Sequence, residues 1–497
     1  MPLPSRARAV AVSAALLAGG CLVTSAAPAA VAAVPEQVNT AAGCVQPGPT
    51  LRYLVVFDRG TSQPLAEAEI EAACGTPTVY YPQIAVAVAT SPDPGFGRRM
   101  GLDRAYSAQA EAISKRTGAV VRKKTDETEI GKSSRSSAVD RTVEQWDMDM
   151  IKAAEAHAIS RGNRSVVVGV LDSGIDPTHP DLVGALDPAL SAGCAATGKA
   201  DPSVAAWSPS NSSHGTHVAG TIAAADDGHG ITGVAPGVRI ASVKVVDNDG
   251  YIYPEYALCG FMWAAVHGMT ITNNSYFIDP WVFTCQNQAG QKVVYEAVQR
   301  AVEYSSSRGV LTVAAVGNAG ADLSKPGRNT QGPTNAAEDV KPRPVDNTCL
   351  VLPAQLRNVV GVSSVGAAKV KTGYSSYGLG AVDVTAPGGD RKQVPASTAS
   401  TDGCVLSTVP AGYDYACGTS MATPHVSGVA ALLASVHPGA TAPQLSRLLN
   451  AQAETLPCPA NYDLNGTGVQ DAYCTGYSEY NGFYGHGLVN ALAAVTK

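Results

Sequence analysis

From Trp146 onward, apolar runs rich in β-branched residues alternate with alanine-rich stretches of helical composition, and this alternation limits the fold more than any other feature. The runs Val166–Leu171, Ile240–Val246 and Val310–Val316 read as apolar strands between those helices. They predict an α/β fold, a mainly parallel sheet flanked by helices on both faces. At 497 residues, 45% hydrophobic and 15% charged, the chain is no disordered polymer, and its length allows roughly three segments. A net charge of -6 gives no electrostatic pull toward nucleic acid or anionic lipid, so neither is an expected partner.

The first segment reads as an address. Arg6 and Arg8 precede an alanine-rich apolar run from Val10 to about Ala33, the pattern of a secretory signal peptide assigned to residues 1–32, with cleavage after Ala27 or Ala32. A membrane anchor and lipoprotein processing at Cys21 are the alternatives; small residues dominate the run, so a secreted, extracellular product with no membrane attachment is expected. Of eleven cysteines, Cys21 leaves with the signal and an even ten face an oxidising environment. Local spacing suggests Cys44 with Cys74, Cys404 with Cys417 and Cys458 with Cys474, while Cys194, Cys259, Cys285 and Cys349 share two further bridges.

Residues 33–121 hold a strand at Tyr53–Phe57, a helical stretch near Ala66–Ala73 and a strand at Ile84–Ala89, which predict a small α+β unit. Residues 122–141, with Arg122-Lys123-Lys124 and Ser133–Ser137, carry too few apolar residues to pack and read as an exposed linker. Residues 142–497 form the main domain.

Three glycine-rich frames carry the chemistry. The first apolar run delivers Asp172 before a Ser173-Gly174 turn, and open α/β sheets place their sites at the carboxyl ends of strands. His214 opens the helical segment Ser213-His214-Gly215-Thr216-His217 as a general base, with His217 read as a core residue. The spacing of these histidines without an intervening glutamate argues against zinc. Ser420, in Gly418-Thr419-Ser420-Met421-Ala422-Thr423-Pro424-His425, sits at a helix start where unpaired amides can donate to an oxyanion, with Pro424 expected in the first turn. Each residue alone is as well read as a turn aspartate, a core histidine or an N-cap serine; together they suit nucleophilic catalysis.

These frames resemble those of the subtilisin-like serine proteases, in the family's order Asp, His, Ser. The resemblance runs from about Trp146 to the end, through Ser375–Gly378, Asp383–Gly388 and Tyr484–Ala491, so no further domain is expected. It implies that Asp172 orients His214, that His214 deprotonates Ser420, and that Asn318, in Ala314-Ala315-Val316-Gly317-Asn318, donates to the oxyanion beside the Ser420 amide. It implies an extended peptide bound between Gly250-Tyr251-Ile252 and Ser275-Tyr276-Phe277, with Ala315 and Gly317 nearby. Ile252 and Phe277 stand where the family commonly has small residues, which narrows the pockets.

No cofactor is expected for catalysis. Asp181 and Asp227 match positions that ligate structural calcium in many relatives, and read equally as solvated loop aspartates. The residue 33–121 unit resembles an inhibitory, folding-assisting prodomain, cut away between about Lys124 and Thr142. The partners implied are protein or peptide substrates and the chain's own prodomain, with the enzyme acting as a monomer. The polar stretch between Gly320 and Cys349 reads as a surface loop or a border of the active site. An α/β-hydrolase lacks support, since neither a Gly-x-Ser-x-Gly elbow nor the order Ser, Asp, His is present.

Overall fold

The computed structural model describes residues 43–44, 48–114, 139–329, 343–395, 400 and 402–496. The expected signal peptide and most of the expected linker lie outside the described residues.

The apolar run at Tyr53–Phe57 is continuous because both of its faces are covered. Strand β1 (Leu51–Val56) lies between β3 (Val86–Ser91) and β4 (Ala105–Tyr106), with β2 (Thr76–Tyr81) beyond β3, in an antiparallel four-stranded sheet. With a side-chain period of two, Tyr53, Val55 and Phe57 pack with Ala66 and Ile70 of the helix Gln63–Ala72. Leu54, Val56, Val86 and Val88 face the other way, into one cluster with Phe261, Val294, Val298 and Val302. Those partners lie on the helices Pro254–Val266 and Ala289–Ser307 of the main domain.

Polar contacts tie the same surfaces. Arg300 Nη1 donates to the carbonyls of Phe57 and Ile84 at 2.8 and 3.0 Å. Arg52 Nε bonds Glu255 Oε1 at 3.0 Å, and its guanidinium also meets the Tyr256 hydroxyl. Burial pushes the Glu255 carboxyl up even with Arg52 beside it.

The main domain is built on a seven-stranded parallel sheet, as the alternation predicts. Its strands are β5 (Val167–Asp172), β6 (Ala192–Gly193), β7 (Arg239–Lys244), β8 (Ile271–Asn274), β9 (Leu311–Ala315), β10 (Val359–Val365) and β11 (Val384–Pro387). They lie in the order β11-β10-β9-β8-β5-β7-β6. The helices His214–Ala223 and Thr419–Val436 share one core cluster with Val168, Val170, Val313 and Val362. The helices Pro254–Val266 and Ala289–Ser307 share another with Val167, Leu171 and Val243. Neighbouring residues of β5 thus enter opposite layers, which is why that strand reads as an apolar run up to Asp172.

Five disulfides join Cys44–Cys74, Cys194–Cys259, Cys285–Cys349, Cys404–Cys417 and Cys458–Cys474. The three local pairings expected from spacing are present, and the remaining four cysteines pair across 65 and 64 residues. Cys349 pins the far end of the polar insertion to Cys285; residues 330–342 of that insertion lie outside the described residues.

The linker expectation is corrected at its end. The Arg141 amide donates to Gly230 O at 2.7 Å and the Gly230 amide to Val139 O at 3.1 Å. The Arg141 side chain is buried, holds both Glu144 oxygens at 2.7 Å and lies over the Tyr413 and Tyr415 rings. Residues 139–141 therefore belong to the packed domain, which starts before residue 142.

Candidate active site

Asp172 is the last residue of β5, next to the central strand β8, and its carboxylate is buried. Its Oδ1 lies 2.8 Å from His214 Nδ1 and accepts the Ser173 amide at 2.6 Å. His214 is the first residue of its helix, and the Ser173 hydroxyl accepts the next amide, that of Gly215, at 2.9 Å. A Cβ at Gly215 would stand 2.5 Å from Gly174 O and 3.1 Å from Asp172 Oδ1, so only glycine lets this helix start meet the strand end. His217 is buried, with Nε2 at 3.2 Å from the carbonyls of Val405 and Asp414, the core role expected for it.

Ser420 is the second residue of the helix Thr419–Val436, whose N-cap is Gly418, so it is not itself a capping serine. Its amide is one of the donors a helix start leaves without an intrahelical acceptor. Asn318 follows β9, and its Oδ1 accepts both the Thr419 amide at 2.9 Å and the Thr419 hydroxyl at 2.7 Å. A backbone amide only donates, which fixes Oδ1 toward Thr419 and Nδ2 away from it. A Cβ at Gly418 would sit 3.5 Å from Asn318 Nδ2 and 3.6 Å from Ser420 N. Both nitrogens therefore border one small volume that the absence of a side chain at residue 418 keeps open.

Pro424 is the sixth helical residue rather than part of the first turn, a correction with a consequence at Ser420. Proline has no amide hydrogen to give the carbonyl four residues back, and that carbonyl belongs to Ser420. The Ser275 hydroxyl supplies the missing donor at 2.9 Å, while Ser420 Oγ donates to Ser275 O at 3.2 Å. Ser275 is further held by Asn273 Nδ2 at 2.9 Å, and Asn273 Oδ1 accepts from Ser427 Oγ at 2.8 Å. The end of β8 and the helix Thr419–Val436 are thus joined by reciprocal bonds.

Residues 163–487 match the model of the Subtilase family. This chain belongs to that family. It is 31% identical over 350 residues to subtilisin from Bacillus pumilus, a match covering 70% of this chain and 98% of that one. It is 30% identical over 357 residues to fervidolysin from Fervidobacterium pennivorans, covering 67% of this chain and 42% of that longer relative. Among solved structures, the epidermin leader peptide processing serine protease of Staphylococcus aureus aligns with a TM-score of 0.60 at 20% identity, over 90% of this chain and 98% of that one. That likeness concerns the fold, and its extent takes in the amino-terminal unit. The subtilase is a subtilisin-like serine endopeptidase.

Of the two segments expected to flank a peptide, 275–277 continues from β8, and 250–252 is held by hydrogen bonds within the fold. The amides of Gly250 and Tyr251 donate to Asp247 O at 3.1 Å and Asp247 Oδ1 at 2.9 Å. The Ile252 amide donates to Asp279 Oδ2 at 2.7 Å. The carbonyls of Tyr251 and Ile252 accept the Asp247 and Asp279 amides, each at 2.9 Å, so both main-chain groups of these two residues have partners inside the fold. Burial pushes the Asp247 carboxyl up to about 6, the two amides it accepts notwithstanding. Tyr251 and Ile252 are buried, with the Tyr251 ring stacked 5.1 Å from Tyr253. On the other edge the Tyr276 side chain is buried under the strand, its hydroxyl on Asn274 Oδ1 at 3.0 Å, while Phe277 is half-buried against the cluster of Phe283 and Val316. Ala315 ends β9, and Gly317 O accepts the Ser376 amide at 2.9 Å.

The calcium expectation does not fit the residues. Asp181 is buried, and its two oxygens accept the Tyr413 hydroxyl at 2.9 Å and the Ile231 amide at 3.2 Å. Donors thus aim where a cation would need lone pairs, and burial raises the Asp181 carboxyl. Asp227 is exposed and accepts the His229 amide at 3.0 Å. Among the described residues the sole cluster of three candidate ligands is Cys44, Cys74 and Asp93, and its sulfurs are spent in a disulfide.

Sequence reading missed Ser173, Asn273, Ser275's hydroxyl, Thr419 and Ser427 as parts that hold the site. The one available signal was polarity in a buried place: Asn273 and Asn274 end the fully buried strand Ile271–Asn274, where buried amides require partners.

Proposed function

We propose that the subtilase is a secreted endopeptidase acting through an acyl-enzyme on Ser420. His214 Nε2 takes the Ser420 hydroxyl proton as Oγ bonds the scissile carbonyl carbon. Asp172, accepting from Nδ1, holds the tautomer and stabilises the imidazolium. Asn318 Nδ2 and the Ser420 amide receive the oxyanion; His214 then protonates the leaving amine as the C–N bond breaks, and water releases the acyl group by the reverse route. The observation carrying this reading is the convergence of Asn318 Nδ2 and Ser420 N in front of Gly418, because such donors matter only for a charge that forms during reaction. Catalysis needs no cofactor in this scheme.

The amino-terminal unit acts as an inhibitory prodomain of a monomeric zymogen, removed by the enzyme itself. The shared cluster of Leu54, Val56, Val86 and Val88 with the main-domain helices supports this. Because residues 139–141 pair with Gly230, the cut falls upstream of Val139. The test is secretion of wild type and Ser420→Ala in parallel, following chain mass and hydrolysis of unfolded protein with and without a serine-directed phosphonylating inhibitor. Wild type should shorten, label and digest, while the variant stays long and inert; shortening of both would remove self-processing, and inactivity of both would remove the catalytic reading.

A further inference from the structure

We infer that the acyl-side substrate channel is closed beyond about the third residue from the scissile bond, so that the enzyme reads short segments. The inference rests on the peptide-cleft reading above and concerns the point where the two edges meet. The Ile252 amide donates to Asp279 Oδ2 at 2.7 Å, and the Asp279 amide donates to Ile252 O at 2.9 Å. Two hydrogen bonds thus join edge 250–252 directly to the continuation of edge 275–277. Both residues are buried, at 5% and 1% exposure, so the join is part of the packed structure.

Register sets where it cuts the channel. Ser275 contacts Ser420 Oγ through its carbonyl, so the substrate residue at the scissile bond lies opposite Ser275. A strand pairs with its neighbour at every second residue. The next pairing position is Phe277, opposite the third substrate residue, and the one after is Asp279, opposite the fifth. No strand passes between Ile252 and Asp279 while each satisfies the other. The chain beyond the third or fourth residue must leave the cleft there without main-chain partners.

Asp279 is therefore a specificity-determining residue that acts by clasping the edges. Asp247 braces the same loop through the Tyr251 and Asp249 amides, so the Ile252 end is held from both sides.

The experiment is kcat/KM of the mature enzyme on peptides with one constant leaving group and two to six residues on the acyl side. For wild type, kcat/KM should rise to the third residue and then change less than about twofold, because one added backbone hydrogen bond is worth roughly two- to tenfold. Asp279→Ala removes one bond of the clasp and should restore a roughly three- to tenfold gain from the fourth and fifth residues, whereas Asp279→Asn, which keeps an acceptor, should retain the flat profile. A steady gain through the fifth residue in wild type overturns the clasp on its own, whether or not the alanine variant folds. Cleavage of no peptide of any length would instead overturn the catalytic reading.

Discussion

Lys371 offers a test in which the sign of a pH effect is fixed by packing. Its side chain is 1% exposed, its ammonium donates to Thr372 O at 2.9 Å and Ser375 O at 2.7 Å, and the rings of Tyr377, Tyr462 and Phe483 lie 5.0, 5.1 and 5.3 Å away. No carboxylate pairs with it among the described residues, and burial pushes it down to about 7 from 10.5. The unfolded chain thus holds this proton between about pH 7 and 10.5 while the folded chain releases it, so stability must rise with pH across that window. From pH 7 to 9.5 the gain is about 3 kcal/mol at 1.36 kcal/mol per unit; the two carbonyls and three ring faces favour the ammonium and draw it toward about 2. Above pH 10 the buried tyrosines Tyr462 and Tyr484 oppose the trend, since burial raises both. The assay is equilibrium urea unfolding of Ser420→Ala, which cannot digest itself, with and without Lys371→Met, at pH 7, 8 and 9.5. The parent's stability should climb relative to the methionine variant by about 2–3 kcal/mol. A flat or falling difference, or a directly titrated Lys371 above pH 10, would refute the reasoning.

Asn318→Ala should lower kcat by about 10²–10³ with little change in KM, the range established for removing one such donor in subtilisin; equal losses in binding would point to a misplaced Thr419 instead. Ser275→Ala leaves the Ser420 carbonyl with neither a hydroxyl nor a Pro424 amide, and should cost about 1–3 kcal/mol by urea unfolding together with a fall in kcat. Arg52→Ala removes the amino-terminal unit's partner for the buried Glu255 carboxyl of the main domain. Breaking such a pair costs about 3–5 kcal/mol, so the variant should shed its amino-terminal unit sooner by mass spectrometry, and unchanged timing would show that the apolar cluster alone holds it.

The parallel sheet was legible in the sequence because strands buried on two faces, such as Val167–Leu171 and Leu311–Ala315, spell out largely apolar runs between alanine-rich helices. The same local logic exposed Asp172, His214 and Ser420, since a strand end and two helix starts carry glycine frames that read without knowledge of their partners. Local cysteine spacing likewise marked three disulfides. What sequence could not rank were contacts whose partners lie far along the chain. Tyr413, 232 residues from Asp181, fills its carboxylate with a phenol hydrogen bond. Pro424 looked tolerable in a first turn, and only the helix start at Thr419 revealed that its missing amide is answered by Ser275, 145 residues away from Ser420. The Ile252–Asp279 clasp follows the same rule: composition suggested a crowded edge, but whether that edge pairs with a peptide or with its own neighbour is decided by which donors the fold brings within 3 Å. Period and punctuation are local properties of a chain, so they determined the fold and the glycine frames around Asp172, His214 and Ser420; satisfaction of buried polar groups is a pairwise property of distant residues, so only the tertiary structure decided the partners of Asp181, Ser275 and Asp279.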